Sequence, residues 1–161
     1  MAVVNLRATA RRGISLAANN DRVAFSKPGK NTIVSTVELP AAVSATSTAV
    51  MAVLPSNARL LPSSTIYWDD LASVGAPTMD VGLYGSQITD DADALSANHG
   101  VATAAGSARM HTAIENFGKM LWELAGETED PGGVIEIRIA ILDADANTGG
   151  TVSALVDYSI D

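Results

Sequence analysis

The chain has 161 residues, with 10 bases against 18 acids, no cysteine, and a hydrophobic fraction of 47% of which little is aromatic. One domain of this length can bury a core without disulfides or metal, and the apolar content excludes a wholly disordered chain. The missing cysteines exclude thiol chemistry and a disulfide framework, while abundant Ala, Val, Ser and Thr suit thin, tightly packed sheets.

Residues 1–30 show no sustained periodicity. Leu6–Arg12 is long enough for a helical turn, but Gly13 and the run Ala18–Asp21 interrupt it, and Lys27-Pro28-Gly29-Lys30 reads as a turn. The expectation is an extended N-terminal arm over 1–30 and a globular domain over 31–161. Charge divides at the same place. Residues 1–30 hold Arg7, Arg11, Arg12, Arg22, Lys27 and Lys30 against the single acid Asp21, whereas residues 31–161 hold 4 bases and 17 acids, a contrast of +5 to −13. A basic head on an acidic body points to a charged partner for the head. Phe25 is its only aromatic residue and the body repels phosphate, so an acidic protein surface, on a second copy or another subunit, is favoured over nucleic acid. Arg7, Arg11 and Arg12 are the candidate partner-binding residues; the bland alternative is a solvated tail.

Asn31–Leu39 alternates, with Ile33 opposed to Val34 and Val37 to Glu38, and Pro40 closes it as a strand. Ser47–Leu54 and Ser64–Trp68 are two more strands, ended by Pro55-Ser56-Asn57 and by Asp69-Asp70. Thr78–Tyr84 sets Met79, Val81 and Leu83 on one face against Asp80 and Gly82 on the other. Residues 85–111 are weakly periodic and rich in Ala, Ser, Gly and Asp, which predicts a long surface loop. Thr112–Ala125 carries Ile114, Phe117, Met120, Leu121 and Leu124 at helical spacing, with Gly126 placed to follow the last turn. Gly118 argues against that helix, and a strand over Lys119–Leu124 competes with it.

The last thirty residues carry the clearest pattern. Ile135, Ile137, Ile139 and Ile141 share one face of Val134–Leu142, and Val152, Ala154, Val156, Tyr158 and Ile160 share one face of Thr151–Asp161. The polar connection Asp143–Gly150 between them predicts an antiparallel hairpin with one buried and one wet face. Together these elements predict a mainly all-β chain: an antiparallel β-sandwich or jelly-roll-like fold with the arm and at most one short helix. The most apolar stretch, Ala41–Leu54, is polar-interrupted and too short to span a bilayer, and arginines follow the opening apolar run, the reverse of a secretory signal. A soluble protein that binds no membrane is expected.

No catalytic signature emerges. His99 and His111 are twelve apart, match no metal spacing and read as surface histidines without a role. The G-x-S-x-G elbow and both Gly-rich phosphate loops are absent. Of three carboxylate clusters, Asp69-Asp70, Asp90-Asp91-x-Asp93 and Asp143-x-Asp145-x-Asn147, the last resembles the opening of a calcium loop, which makes Asp143, Asp145 and Asn147 the candidate metal ligands. Thr148 stands where such a loop needs glycine and Ala154 where it needs glutamate, so a solvated connection is the favoured reading. Trp68 and Trp122, amid apolar neighbours, read as core anchors rather than sugar platforms. The expectation is a non-enzyme without cofactors.

Three stretches carry a family resemblance: Ala58–Leu71 running into Ala76–Leu83, then Leu121–Gly126 before Asp130-Pro131-Gly132, and the terminal Gly149–Asp161. In texture and order they resemble small structural proteins of tailed bacteriophages, similar to head decoration (cement) proteins. The resemblance implies a β-rich subunit that self-associates, often as trimers, and binds the major capsid protein on the outer face of the head after synthesis in the host cytoplasm. It transfers no binding residue and does not cover the arm. Two readings compete with it. One is another virion component, in the neck, tail or fibre or the capsid protein itself; the other is a carbohydrate-binding or hydrolytic β-sandwich.

Overall fold

A computed structural model describes residues 5–7, 9–11, 29–102, 104–111 and 113–160. Among the described residues eleven strands follow one another: β1 (Asn5–Arg7), β2 (Thr9–Arg11), β3 (Gly29–Leu39), β4 (Thr48–Pro55), β5 (Arg59–Leu60), β6 (Thr65–Trp68), β7 (Thr78–Tyr84), β8 (Asp91–Gly100), β9 (Gly106–Arg109), β10 (Val134–Leu142) and β11 (Gly150–Ile160). They build an all-β sandwich of two sheets, one ordered β1-β4-β10-β7-β8 and the other β2-β3-β11-β6-β9, with β5 paired to β11. Every pairing is antiparallel except β1 with β4.

The two most regular strands of the sequence lie at the centres of the two sheets. β10 runs between β4 and β7, and β11 between β3 and β6, so they are not hairpin partners. Their apolar faces, Ile135, Ile137, Ile139 and Ile141 on β10 and Val152, Ala154, Val156 and Tyr158 on β11, belong to one buried cluster. The polar connection after Leu142 carries the chain from one sheet to the other, across the roughly 10 Å that separates packed sheets. An alternating pattern says that a strand has a dry face. It does not say whether the next strand lies beside it or opposite it.

Residues 85–111 are the second departure from expectation. They hold β8 and β9 rather than a loop. β8 is built from Asp, Ala, Ser, Asn and Gly, poor strand formers, and its register against β7 shifts twice, between Met79 and Val81 and between Val81 and Leu83. Each shift breaks the period-2 signal. β9 has only four residues and forms an edge against β6.

The predicted helix over 112–125 is also reduced, to one 3-10 turn (Ile114–Asn116) and one α-helical turn, α1 (Leu121–Leu124). Gly118 lies at φ +84, outside the right-handed helical region, and Ile114 is 78% exposed. Gly126 does follow the last turn, its N–H donating to the Glu123 carbonyl at 3.1 Å. Trp68 and Trp122 pack half-buried against the core, as anchors would. No described helix is long and apolar enough to cross a membrane.

Candidate functional site

The few described residues before Gly29 pair with the sheets. Asn5, Leu6 and Arg7 pair in parallel with Thr48, Ala49 and Val50 on β4, and Thr9, Ala10 and Arg11 pair with Thr36, Ser35 and Val34 on β3. One short segment thus covers the outer edges of both sheets. Leu6 packs into an apolar slot lined by Leu39, Val43, Ala49, Ile139 and Ile141. Two short strands thus precede the boundary expected at residue 30, and β3 opens at Gly29. Of the three candidate arginines, Arg7 lies opposite Val50 and Arg11 opposite Val34, on the domain's own edges. Arg12, Lys27 and Pro28 lie outside the described residues.

Where β3 begins, a buried carboxylate fastens three segments. Asp157 on β11 is 3% exposed although it sits on the outward side of its strand. Its Oδ1 accepts from the Thr32 hydroxyl at 2.6 Å, the Ser63 hydroxyl donates to Oδ2, and Lys30 Nζ approaches Oδ2 at 2.8 Å. The Ser64 hydroxyl donates to the Asp157 carbonyl at 2.9 Å and accepts from its N–H at 3.0 Å. Burial pushes this carboxyl up, but the hydrogen bonds from Lys30, Ser63 and Thr32, together with the Lys30 charge, outweigh it and hold the group below its ordinary value. Nothing in the alternation of β11 marks Asp157 as different from Ser153 or Ser159. The signal is its register opposite Thr32, which needs the fold to be known.

His111 is not the surface residue its sequence context suggests. It is 1% exposed, meets the Phe117 ring edge-on at 5.0 Å, and neither ring nitrogen has a hydrogen-bond partner among the described residues. Burial lowers its pKa. His99 is half-buried, packs on Trp68 at 5.6 Å and places Nε2 2.9 Å from the Ser96 hydroxyl; burial lowers its pKa and Asp80 opposes the shift.

The three calcium candidates are each held by a different neighbour. Asp143 accepts from the Thr78 hydroxyl at 2.6 Å, Asp145 from the Ala45 N–H at 2.8 Å, and Asn147 from the Ser73 N–H at 2.9 Å. These bonds tie the crossing connection to the start of β7 and to the loops at Ala45 and Ser73. No group of three His, Cys, Asp or Glu side chains that could hold a metal occurs among the described residues. Of the remaining clusters, Asp69 accepts from the Thr151 hydroxyl and N–H, which lowers its pKa, and Asp90 accepts from the Gly85 N–H.

The outward faces of the two sheets differ in chemistry. On the β3-β11-β6-β9 sheet, one row across the strands reads Val34, Leu155, Thr65, Arg109 and the next reads Thr36, Ser153, Tyr67, Ser107. Val34 is 42% and Tyr67 47% exposed; Lys30, Glu38 and Arg109 carry charge on this sheet, Asp157 is buried on the outward side of β11, and β2 sets Arg11 opposite Val34. The other sheet carries charge at its centre. Arg138 stacks over the Tyr84 ring at 4.8 Å and pairs with Glu136 at 2.6 Å, beside an open cleft of about 390 Å³ bounded by Gly85, Ser86, Asp90 and Val134.

No family model matches the sequence, and no curated protein matches it. The fold is similar to solved structures. It resembles a chain of the cyanophage Pam1 capsid asymmetric unit, with a TM-score of 0.59 and 20% identity over 92% of this chain and 95% of that one. It also resembles a chain of the capsid of Ralstonia phage GP4, with a TM-score of 0.60 and 21% identity over 98% and 99% of the two chains. At these identities the likeness is one of fold, and it runs nearly end to end in both.

Proposed function

We propose that this chain is a non-catalytic structural subunit of a bacteriophage virion, a head decoration or cement protein that associates with copies of itself and with the major capsid protein on the outer surface of the shell. One observation carries the reading: the whole chain, rather than a module within it, shares its fold with chains of two phage capsids. The mostly uncharged rows around Val34, Leu155 and Tyr67 support it, because a body of 4 bases and 17 acids over residues 31–161 disfavours contact between copies through its acidic surface. Trimers on the capsid surface, assembled from subunits made in the host cytoplasm, are the arrangement this reading favours.

Electron microscopy of particles labelled with an antibody to the chain tests it. A decoration subunit dots the entire head. Label confined to one vertex, the tail or the fibres assigns the chain to another virion part, and absence of label from purified particles refutes a virion role.

A further inference from the structure

We infer that the segment 5–11 is an exchangeable clasp: in the assembled protein, β1 and β2 of one copy occupy the β4 and β3 edges of another. This rests on the self-association proposed above and names the element that carries it.

The slot is built for an inserted strand. Leu6 closes an apolar opening between the sheets, against Leu39, Val43, Ala49, Ile139 and Ile141, while its neighbours continue the β4 edge. Each of the two pairings is only three residues long, so little holds the segment to any one copy. Because the same contacts form within or between chains, exchange changes few interactions, and local concentration decides the balance.

The covalent connection is far longer than the intrachain arrangement requires. Arg11 lies opposite Val34, and the chain re-enters at Gly29. That separation is about 17 Å along β3, at the usual rise of a strand. Residues 12–28 connect the two points, a contour on the order of 60 Å when extended. The surplus allows the segment to reach the corresponding edge of an adjacent copy.

The structure also marks where exchange stops. Gly29 lies at φ +114 with open space around its missing Cβ, a conformation in which the chain can leave the strand at an angle that other residues rarely take. The next residue, Lys30, is pinned to Asp157, as is Thr32. Everything before Gly29 can move to a neighbour while β3 stays in register with β11.

The chain has no cysteine, so introduced thiols report without interference. Asn5 and Thr48 are register partners. Full-length Asn5→Cys and Thr48→Cys chains, given tags of different size, are co-expressed, purified and oxidised, and the double variant is oxidised alongside. Exchange predicts a disulfide between the two differently tagged chains and covalent multimers from the double variant. If light scattering shows an oligomer but the disulfide forms only within single chains, exchange is wrong and self-association stands. A monomer at all concentrations removes both, and no disulfide in either preparation removes the β1–β4 pairing on which the inference depends.

Discussion

The last strand and the first two are attached to the same sandwich in opposite ways. β11 pairs with β3 along all eleven residues from Gly150 to Ile160, has β6 and β5 on its other side, and places Val152, Ala154, Val156 and Tyr158 in the core. β1 and β2 have three residues each, lie on outer edges, and contribute Leu6, half-buried, to the packing. The most extensive pairing and the shortest edge pairings thus lie at different ends of the chain. For the proposed shell subunit, that division is what strand exchange requires: a body that stays folded while its edge strands change partners.

The largest effect is expected where the two sheets meet. Ile137→Ala on β10, a fully buried position, should lower global stability by about 2–5 kcal/mol through lost transfer energy and a cavity, read as a reduced urea midpoint with an unchanged slope. A loss as small as that of an edge substitution would mean that β10 and β11 are not the structural centre.

Asp157→Asn comes next, at about 1–3 kcal/mol, since the amide retains the shape but leaves Lys30 and the hydroxyl donors poorly matched. The folded pKa is below the unfolded one, so this stabilisation is fully present above about pH 4 and fades as pH falls through the depressed folded value. Urea midpoints measured from pH 6 downward should fall more steeply near and below pH 4 in the parent than in Asp157→Asn, which keeps only the losses of the other titrating groups.

Leu6→Ala should cost only about 1 kcal/mol of domain stability, because its side chain is half-buried at an edge. Under the proposed strand exchange, its oligomer should in contrast dissociate at higher protein concentration than the parent's, by light scattering. Equal losses in both readouts would place β1 with the core strands.

The smallest effect belongs to neither region. His111 is buried neutral, with a folded pKa below its unfolded value near 6.5, so its contribution is present above that pH and is lost as pH falls through the folded pKa. His111→Leu should flatten the stability profile below about pH 6.5 and leave neutral stability nearly unchanged.

Much of the sandwich is legible in the sequence because its central strands bury one face each. Ile135 to Ile141 and Val152 to Tyr158 read correctly as strands, and so do Asn31–Leu39, Ser47–Leu54, Ser64–Trp68 and Thr78–Tyr84 within a residue or two. The pairing of β10 with β4 and β7, and of β11 with β3 and β6, is not legible, since alternation carries no information about the partner. β8 escapes because its bulges and its Asp, Asn and Gly content remove both periodicity and propensity. The short edge strands β1 and β2 escape for a different reason: three residues hold less than two periods of any pattern. Of the candidate site, the basic residues were visible as charge, but Leu6 and Asp157 acquire their meaning only from the slot and the register that the fold supplies.

Native-state hydrogen exchange tests the division between the two ends most directly. The account predicts that the amides of Leu6, Arg7, Ala10 and Arg11 exchange through local opening with low protection, while those of Ile137, Ile139, Ala154 and Val156 exchange only with global unfolding. Protection of β1 and β2 equal to that of β10 and β11 would contradict it.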